Sequence, residues 1–157
     1  MKTNAMRILD GLGIDYEALE YDIDPREDNE IAMHTSRTLG ISPEQIFKTL
    51  VLASEQKEIF VLCIPALFEV SLKKARSAAD CNGIDLIKPD QLQRLTGYIR
   101  GGCSPLGMIH KYPVLIEELA QLEEFIYISG GLRGLTLKIR PDDLLRASDG
   151  QYASLVN

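Results

Sequence analysis

Hydrophobic runs of strand length alternate along the chain with short amphipathic segments. The runs over residues 47–53 and 59–64 flank a polar turn at 54–57, and together they predict a hairpin whose second strand ends at Pro65. Further strands are predicted over residues 14–21, 84–87, 124–129, 135–139 and 152–156. Short turns, among them Gly130-Gly131, are expected to join several of these strands.

Helix start and stop signals lie between the strands. Asn4 is expected to cap a helix over residues 4–12, and Ser71 one that runs to about residue 79. Gly40 is expected to end a helix over residues 30–39. Pro89 and Pro141 each open a short helix, ending near residues 95 and 146.

The remaining segments complete a mixed pattern. Ser42-Pro43-Glu44-Gln45 has the look of a capping box, residues 22–29 form an acidic loop broken by proline, and residues 113–122 begin extended and become helical. Helices and strands interleave irregularly, which favours an α+β domain with a mixed sheet over a regular βαβ array.

Length and composition fit one globular domain over residues 1–157. The chain has 45% hydrophobic and 25% charged residues, and no run approaches the ~18 apolar residues of a membrane span. The first residues lead into an amphipathic segment rather than an apolar signal core, so a cytoplasmic location without a membrane partner is expected. The three cysteines form no CxxC or Cys/His cluster, which predicts reduced thiols and no metal site.

The charge balance bears on nucleic acid. A net charge of −6 disfavours a general nucleic-acid binder, but it is compatible with a protein that contacts only the end of an RNA. Basic residues cluster at 73–76, in a pattern typical of a solvated helix face. Others are spread over the C-terminal half: Arg94, Arg100, Arg133, Lys138 and Arg140.

The candidate functional residues lie in two glycine-rich loops and at one lysine. Residues 97–107 contain four glycines and one proline, and such a loop can direct bare N–H groups at an oxygen. A second glycine loop spans residues 127–134. Lys48 interrupts an apolar run, so it either lies at a strand edge or meets a partner, because an unpaired buried charge is costly. Together these features suggest a pocket that binds a carbonyl or phosphate oxygen.

Familiar catalytic groups are scarce. The only histidines are His34 and His110, both expected at the surface, and neither a nucleophile elbow nor a P-loop is present. Cys103 lies in the first glycine loop, where a small packing residue is favoured over a nucleophile. Cys63 falls within an apolar strand and is expected in the core.

Four motifs, in this order, carry a family resemblance: Phe47-Lys48-Thr49-Leu50, Thr96-Gly97-Tyr98, Gly101-Gly102-x-Ser104-Pro105-Leu106-Gly107 and Ile128-Ser129-Gly130-Gly131-x-Arg133-Gly134. The set resembles the YbaK family of aminoacyl-tRNA deacylases, which is related to the editing domain of bacterial prolyl-tRNA synthetase. The likeness covers nearly the whole chain. It implies a compact α+β domain with a mixed, barrel-like sheet flanked by helices.

The resemblance also implies a reaction and partners. The expected activity is hydrolysis of mischarged aminoacyl-tRNA, above all Cys-tRNA(Pro), bound by its acceptor end beside prolyl-tRNA synthetase. No metal or organic cofactor is implied. The family positions assign catalysis to Lys48, Gly101 and Gly102. They assign substrate binding to Tyr21, Thr49, Ser129, Gly130 and Arg133.

A mechanism follows from that resemblance. Amides at Gly101 and Gly102 would stabilise the negative charge on the ester carbonyl oxygen, and Lys48 would hold a phosphate, a ribose or that oxygen. In the cysteine-specific branch, the thiol of the attached cysteine attacks the carbonyl carbon of its own ester. The cysteinyl group is then released from the tRNA as a cyclic thiolactone. Three alternatives stay open: an Ala-tRNA(Pro) deacylase that uses water, a non-catalytic module for tRNA ends or a synthetase, and a small-molecule hydrolase.

Overall fold

Five helices and eight strands form within residues 1–22 and 31–157, the part of the chain that the computed structural model describes. The helices are α1 (Asn4–Gly11), α2 (Ile31–Leu39), α3 (Leu72–Ala79), α4 (Leu92–Thr96) and α5 (Pro141–Ser148). The strands are β1 (Glu17–Glu20), β2 (Phe47–Ser54), β3 (Ile59–Pro65), β4 (Ile84–Leu86), β5 (Val114–Glu117), β6 (Ile126–Ser129), β7 (Leu135–Ile139) and β8 (Gln151–Ala153). Single 3-10 turns cover Pro43–Gln45, Pro89–Gln91 and Glu118–Leu122.

The strands form two sheets. One is mixed, in the order β4-β2-β3-β5-β8, with the predicted β2–β3 hairpin at its centre and parallel pairings of β5 with β3 and β8. The other is antiparallel, in the order β1-β7-β6. A single bridge between Ile46 and Tyr127 links them. The predicted α+β class and mixed sheet are confirmed, with the strands divided between two sheets.

Most predicted boundaries of helices and strands agree with the structure within a few residues. The main differences concern which residue caps a helix. Thr3, rather than Asn4, caps α1, because its hydroxyl accepts the amide three residues on at 3.3 Å. Ser71 caps α3 as predicted. Ser42 makes no capping bond and instead donates to the Glu44 carboxylate. The predicted acidic loop lies, beyond residue 22, outside the described residues.

The hairpin strand β3 is buried on both faces. Val61 and Cys63 face a core shared with α1, β6 and β7, while Leu62 and Ile64 face a second core under α3; all four are at most 1% exposed. The core position predicted for Cys63 is confirmed. Because β3 packs on both faces and β2 pairs with it along its length, the backbone that carries Lys48 is held in a fixed position.

The helices of the described residues are short. The longest, α2, has 9 residues. No helix within these residues has both the length and the apolar character needed to cross a membrane.

Candidate active site

A cavity of about 390 Å³ opens where the start of β2 meets the first glycine loop and the second sheet. Five of the sequence-predicted site residues line it: Tyr21, Lys48, Thr49, Gly101 and Ser129. Three others, Gly102, Gly130 and Arg133, are not part of this lining. Lys48 and the first glycine loop, which are about fifty residues apart in sequence, thus share one cleft.

Lys48 is half withdrawn from water. It pairs with Ile64 across the hairpin, and the next residue on its own face of β2 is Leu50, so both of these neighbours are apolar. Burial lowers the pKa of its ammonium group, and the negative charge of Glu69 opposes that shift. An ammonium group with a reduced hydration shell gains more from an anionic oxygen than an exposed one does.

Thr49 brings an unusual hydroxyl to the cavity. Its Oγ1 is buried and has no hydrogen-bond partner among residues 1–22 and 31–157. A buried hydroxyl without a partner costs free energy and is uncommon in folded proteins. Because Thr49 lines the cavity, its hydroxyl is suited to bind a substrate atom.

The two adjacent glycines of the first loop have different roles. Gly101 has φ +84°, which favours glycine, and its N–H makes no hydrogen bond within the described part of the chain. The N–H of Gly102 donates to the Ile99 carbonyl at 3.0 Å. The expectation that both amides face a substrate oxygen is therefore not met by Gly102, because a turn already uses its donor.

Gly102 serves close packing instead. A Cβ at this position would lie 3.1 Å from the backbone nitrogen of Arg133 and 3.2 Å from the carbonyl carbon of Leu132. The first glycine loop therefore lies directly on the second. Only a residue without a side chain allows this contact at its present distance.

Of the sequence-predicted site residues in the second glycine loop, only Ser129 lines the cavity. Its hydroxyl accepts the Gly131 amide at 3.2 Å. The Gly130 amide donates to the Leu135 carbonyl at 2.9 Å, and a Cβ on Gly130 would lie 2.6 Å from Leu135 Cγ. Arg133 lines a second groove, which shares Tyr21 and Leu135 with the cavity. Gly130 and Arg133 thus shape the loop rather than the cavity wall.

Tyr21 connects the second loop with α2. Its backbone N–H donates to the Gly134 carbonyl at 2.9 Å, and its hydroxyl accepts Thr35 Oγ1 at 2.7 Å. Thr35 and Arg100 line the cavity as well, although neither was among the sequence-predicted site residues. The position of Arg100, directly before Gly101, was the one sequence signal that could have suggested it.

The other candidates are not placed for catalysis. Cys103 lines the cavity but is 8% exposed, and burial raises the pKa of its thiol to about 12. The thiol is therefore protonated near neutral pH, which makes it a poor nucleophile. Neither His34 nor His110 lines the cavity. Within the described residues, no group of three His, Cys, Asp or Glu side chains could hold a metal ion.

Residues 31–147 match the family described as aminoacyl-tRNA editing domain. The chain belongs to this family. The match includes Lys48 and both glycine loops, and it confirms the family relationship expected from the four motifs.

One relative in this editing family covers nearly the whole chain. EbsC of Enterococcus faecalis, which is named as a Cys-tRNA(Pro)/Cys-tRNA(Cys) deacylase, is 36% identical over 154 residues, 98% of this chain and 93% of EbsC. This level of identity over almost the full length supports a common architecture for the two proteins.

Two solved structures bear on the fold. The crystal structure of the protein APE2540 has a TM-score of 0.88 at 19% identity and covers 99% of this chain and 100% of its own. A crystal structure described as a trans-editing enzyme for prolyl-tRNA synthetase has a TM-score of 0.81 at 20% identity and covers 100% and 99%. Both confirm the compact α+β editing-domain fold that the sequence motifs led us to expect.

Proposed function

We propose that this protein is an aminoacyl-tRNA deacylase that removes a wrongly attached amino acid from tRNA(Pro), with Cys-tRNA(Pro) as its preferred substrate. The observation that carries the proposal is that one cavity is lined by both Lys48 and Gly101, whose amide makes no hydrogen bond among the described residues. The name of the relative EbsC supports the same substrate.

The proposed chemistry concerns the ester between the amino acid and the terminal ribose. Negative charge develops on the carbonyl oxygen as this ester is attacked. The Gly101 N–H would donate to that oxygen, and the Lys48 ammonium group would stabilise the same charge from the β2 side. Gly102 would act one step away, by fixing the loop that presents Gly101. No metal or organic cofactor takes part in this proposal.

The proposed nucleophile is the thiol of the substrate. Cys103 is protonated near neutral pH, so it is a weak candidate for the attack. In the proposed step the substrate sulfur bonds to the carbonyl carbon while the ester C–O bond breaks. The thiol proton passes to the leaving ribose oxygen, and the products are a cyclic thiolactone and free tRNA. The protein contributes proximity and charge stabilisation.

Three cavity residues are proposed to hold the substrate. Tyr21, Thr49 and Ser129 each bring a hydroxyl to the wall, and hydroxyls can bind the ribose or the amino group. Gly130 and Arg133 would support this wall from behind.

The acidic net charge supports a division of labour. A chain with a net charge of −6 repels the phosphate backbone as a whole, so we propose that prolyl-tRNA synthetase holds most of the tRNA while this protein receives the acceptor end. This proposal implies a cytoplasmic location, where charged tRNA is used.

The experiment is deacylation of tRNA(Pro) charged with cysteine, S-methylcysteine, alanine or serine. Only cysteine should be released quickly, as its thiolactone, because the other side chains carry no free thiol. Lys48→Ala should lower the rate on the order of 100-fold. Lys73→Ala, on the exposed face of α3, is the matched lysine control and should keep the wild-type rate.

The outcomes separate the alternatives. Equal rates on the alanyl and cysteinyl esters would replace the thiol mechanism by attack of water. Tight binding of an uncleavable charged-tRNA mimic without turnover would favour a binding module, and faster hydrolysis of simple esters would favour a small-molecule hydrolase. No release from any mischarged tRNA(Pro), beside an active control enzyme, would refute the proposed function.

A further inference from the structure

The three-stranded sheet has one buried face and one outer face. Ile126 and Ile128 of β6 and Leu137 and Ile139 of β7 are at most 1% exposed and face the core. Side chains alternate along a strand, so the residues between them point away from that core. The outer face is therefore defined by the alternate positions of β6 and β7.

The outer face begins in the cavity. Ser129 and Thr136 pair directly across β6 and β7, and both line the cavity. The next opposed pair along the face is Tyr127 and Lys138. Beyond it lie Phe125, which precedes β6, and Arg140, which follows β7. Tyr127 and Thr136 are only 8% and 5% exposed and form part of the cavity wall, so the face becomes open to solvent beyond them, at an aromatic ring with two cations.

This far end, which we call the basic patch, consists of Phe125, Lys138 and Arg140. The Lys138 ammonium nitrogen lies 4.5 Å from the centroid of the Phe125 ring, and the Arg140 guanidinium carbon lies 4.7 Å from it. Cation–π contacts of this kind hold both cations close together on the surface.

In the described part of the chain, Glu124 and Glu17 lie beside the patch, and neither neutralises it strongly. Glu124 approaches Arg140 at 3.8 Å, but the two side chains are 73% and 57% exposed, so the pair is weak and can exchange. Glu17 of β1 is opposite Lys138 in register, yet within the described residues Lys138 forms no ion pair. Both cations can therefore bind phosphate.

The dimensions of the outer face suit a short single strand. The four residue steps from Ser129 back to Phe125, at the ~3.3 Å rise of an extended strand, span ~13 Å. At the ~3.4 Å rise per nucleotide of a stacked strand, this length holds at most about four nucleotides. On a chain with a net charge of −6, a local pair of cations at the end of a path from the cavity is where a phosphate backbone would be attracted.

We propose that the RNA strand that leads into the cavity runs along the outer face, with its phosphates on Lys138 and Arg140. This proposal rests on the proposed function, because it takes the terminal nucleotide to lie in the cavity. It makes the acceptor end of a tRNA the ligand of the basic patch and assigns phosphate binding to two residues outside the cavity.

The basic cluster at residues 73–76 is the rival surface. The Lys74 ammonium group already donates to the Val156 carbonyl at 2.7 Å and so fixes the C-terminal segment. Lys73 is exposed on α3. Neither residue lies on the outer face. Removing a charge from this cluster therefore serves as the control for a general electrostatic effect on RNA binding.

The test is binding of a fluorescent, uncharged RNA hairpin with a single-stranded 3′ end, measured by anisotropy between about 50 and about 200 mM KCl. Lys138→Gln and Arg140→Gln should each weaken binding about 5-fold near ~0.1 M salt and reduce the slope of log affinity against log salt by ~0.7. The double variant should reduce this slope by ~1.4. Lys138→Arg keeps the charge and should retain the wild-type slope, while Lys73→Gln should leave it unchanged.

The readouts distinguish this proposal from the proposed function. An unchanged slope in the double variant, or an equal loss in Lys73→Gln, would overturn the docking surface. Because the hairpin carries no amino acid, binding is scored without turnover. Salt-dependent binding through Lys138 and Arg140, in a protein that deacylates no tRNA, would keep the surface and remove the reaction. Deacylation of tRNA by a protein whose double variant keeps the wild-type salt slope would keep the reaction and remove the docking surface.

Discussion

Thr49→Val should make the protein more stable and less active, and the structure gives the sign of both effects. Valine has nearly the shape of threonine and the same β-branched preference for a strand such as β2. The change removes a hydroxyl whose oxygen is buried without a hydrogen-bond partner in the described part of the chain. It therefore removes an unfavourable polar burial while preserving the packing.

The gain in stability can be estimated. Leaving a buried polar group unsatisfied costs about 1–3 kcal/mol, and we take ~1 kcal/mol because Thr49 as a whole is only half-buried. With ~2.1 cal/mol/K of unfolding entropy per residue, a chain of 157 residues has ~0.33 kcal/mol/K. A gain of ~1 kcal/mol therefore raises Tm by ~3 °C.

The loss of activity follows from the same hydroxyl. If it binds the substrate, the variant loses a hydrogen bond of about 0.5–1.5 kcal/mol in the transition state. This corresponds to a decrease in kcat/KM of about 2- to 12-fold on Cys-tRNA(Pro).

Thr136→Val is the matched control in the same cavity. The Thr136 hydroxyl donates to the Ile128 carbonyl at 2.9 Å and is buried, so its removal should lower Tm instead of raising it. Thermal unfolding and single-substrate deacylation kinetics measure both effects. A lower Tm for Thr49→Val, or an unchanged kcat/KM, would show that the hydroxyl finds a partner in the folded protein or does not bind the substrate.

Three further predictions concern the same cavity. Gly102→Ala should destabilise the protein by about 1–2 kcal/mol, measured by urea unfolding, because the added methyl group crowds the backbone of the second glycine loop. Cys103→Ser should keep most of the deacylase activity, and its abolition would restore the cysteine nucleophile. The kcat/KM of wild type relative to Lys48→Arg should fall as pH rises through the lowered pKa of Lys48, because only wild type loses its cation there; the ratio cancels titration of the substrate. A ratio that stays flat until the pKa of an ordinary lysine would contradict that role.

The predicted parts of the fold are those that local pattern determines. The apolar runs around Lys48 and Cys63 are continuous and separated by a polar turn, so the β2–β3 hairpin and its burial follow directly from periodicity. The Ser71 cap follows from a serine ahead of an amphipathic segment. The cap of α1 was harder to predict. Thr3 and Asn4 are both good capping residues, and the choice between them depends on where the chain enters the helix.

The parts that could not be predicted depend on contacts between distant segments. Gly102 looked like a second amide donor, and only the approach of the loop at residues 132–133 shows that it is a packing position. Glu117 is 1% exposed and accepts the amides of Leu155 and Val156, at 2.8 and 3.2 Å. Nothing local marks this glutamate as the residue that fixes the C-terminal segment.

The difference between Gly101 and Gly102 changes what the proposed site can discriminate. Because the Gly102 amide is engaged in a turn, the proposed charge stabilisation would rest on two donors from separate segments, the Gly101 N–H and the Lys48 ammonium group. Lys48 is held by a hairpin packed on both faces, and Gly101 by the contact of Gly102 with the second loop, so both donors are positioned before the substrate binds. Neither donor attacks the ester. In the proposed mechanism, the rate on a given ester would therefore depend on the nucleophile that its own amino acid carries. Selectivity for cysteine would then follow from the chemistry of its side chain, even where the cavity admits smaller amino acids.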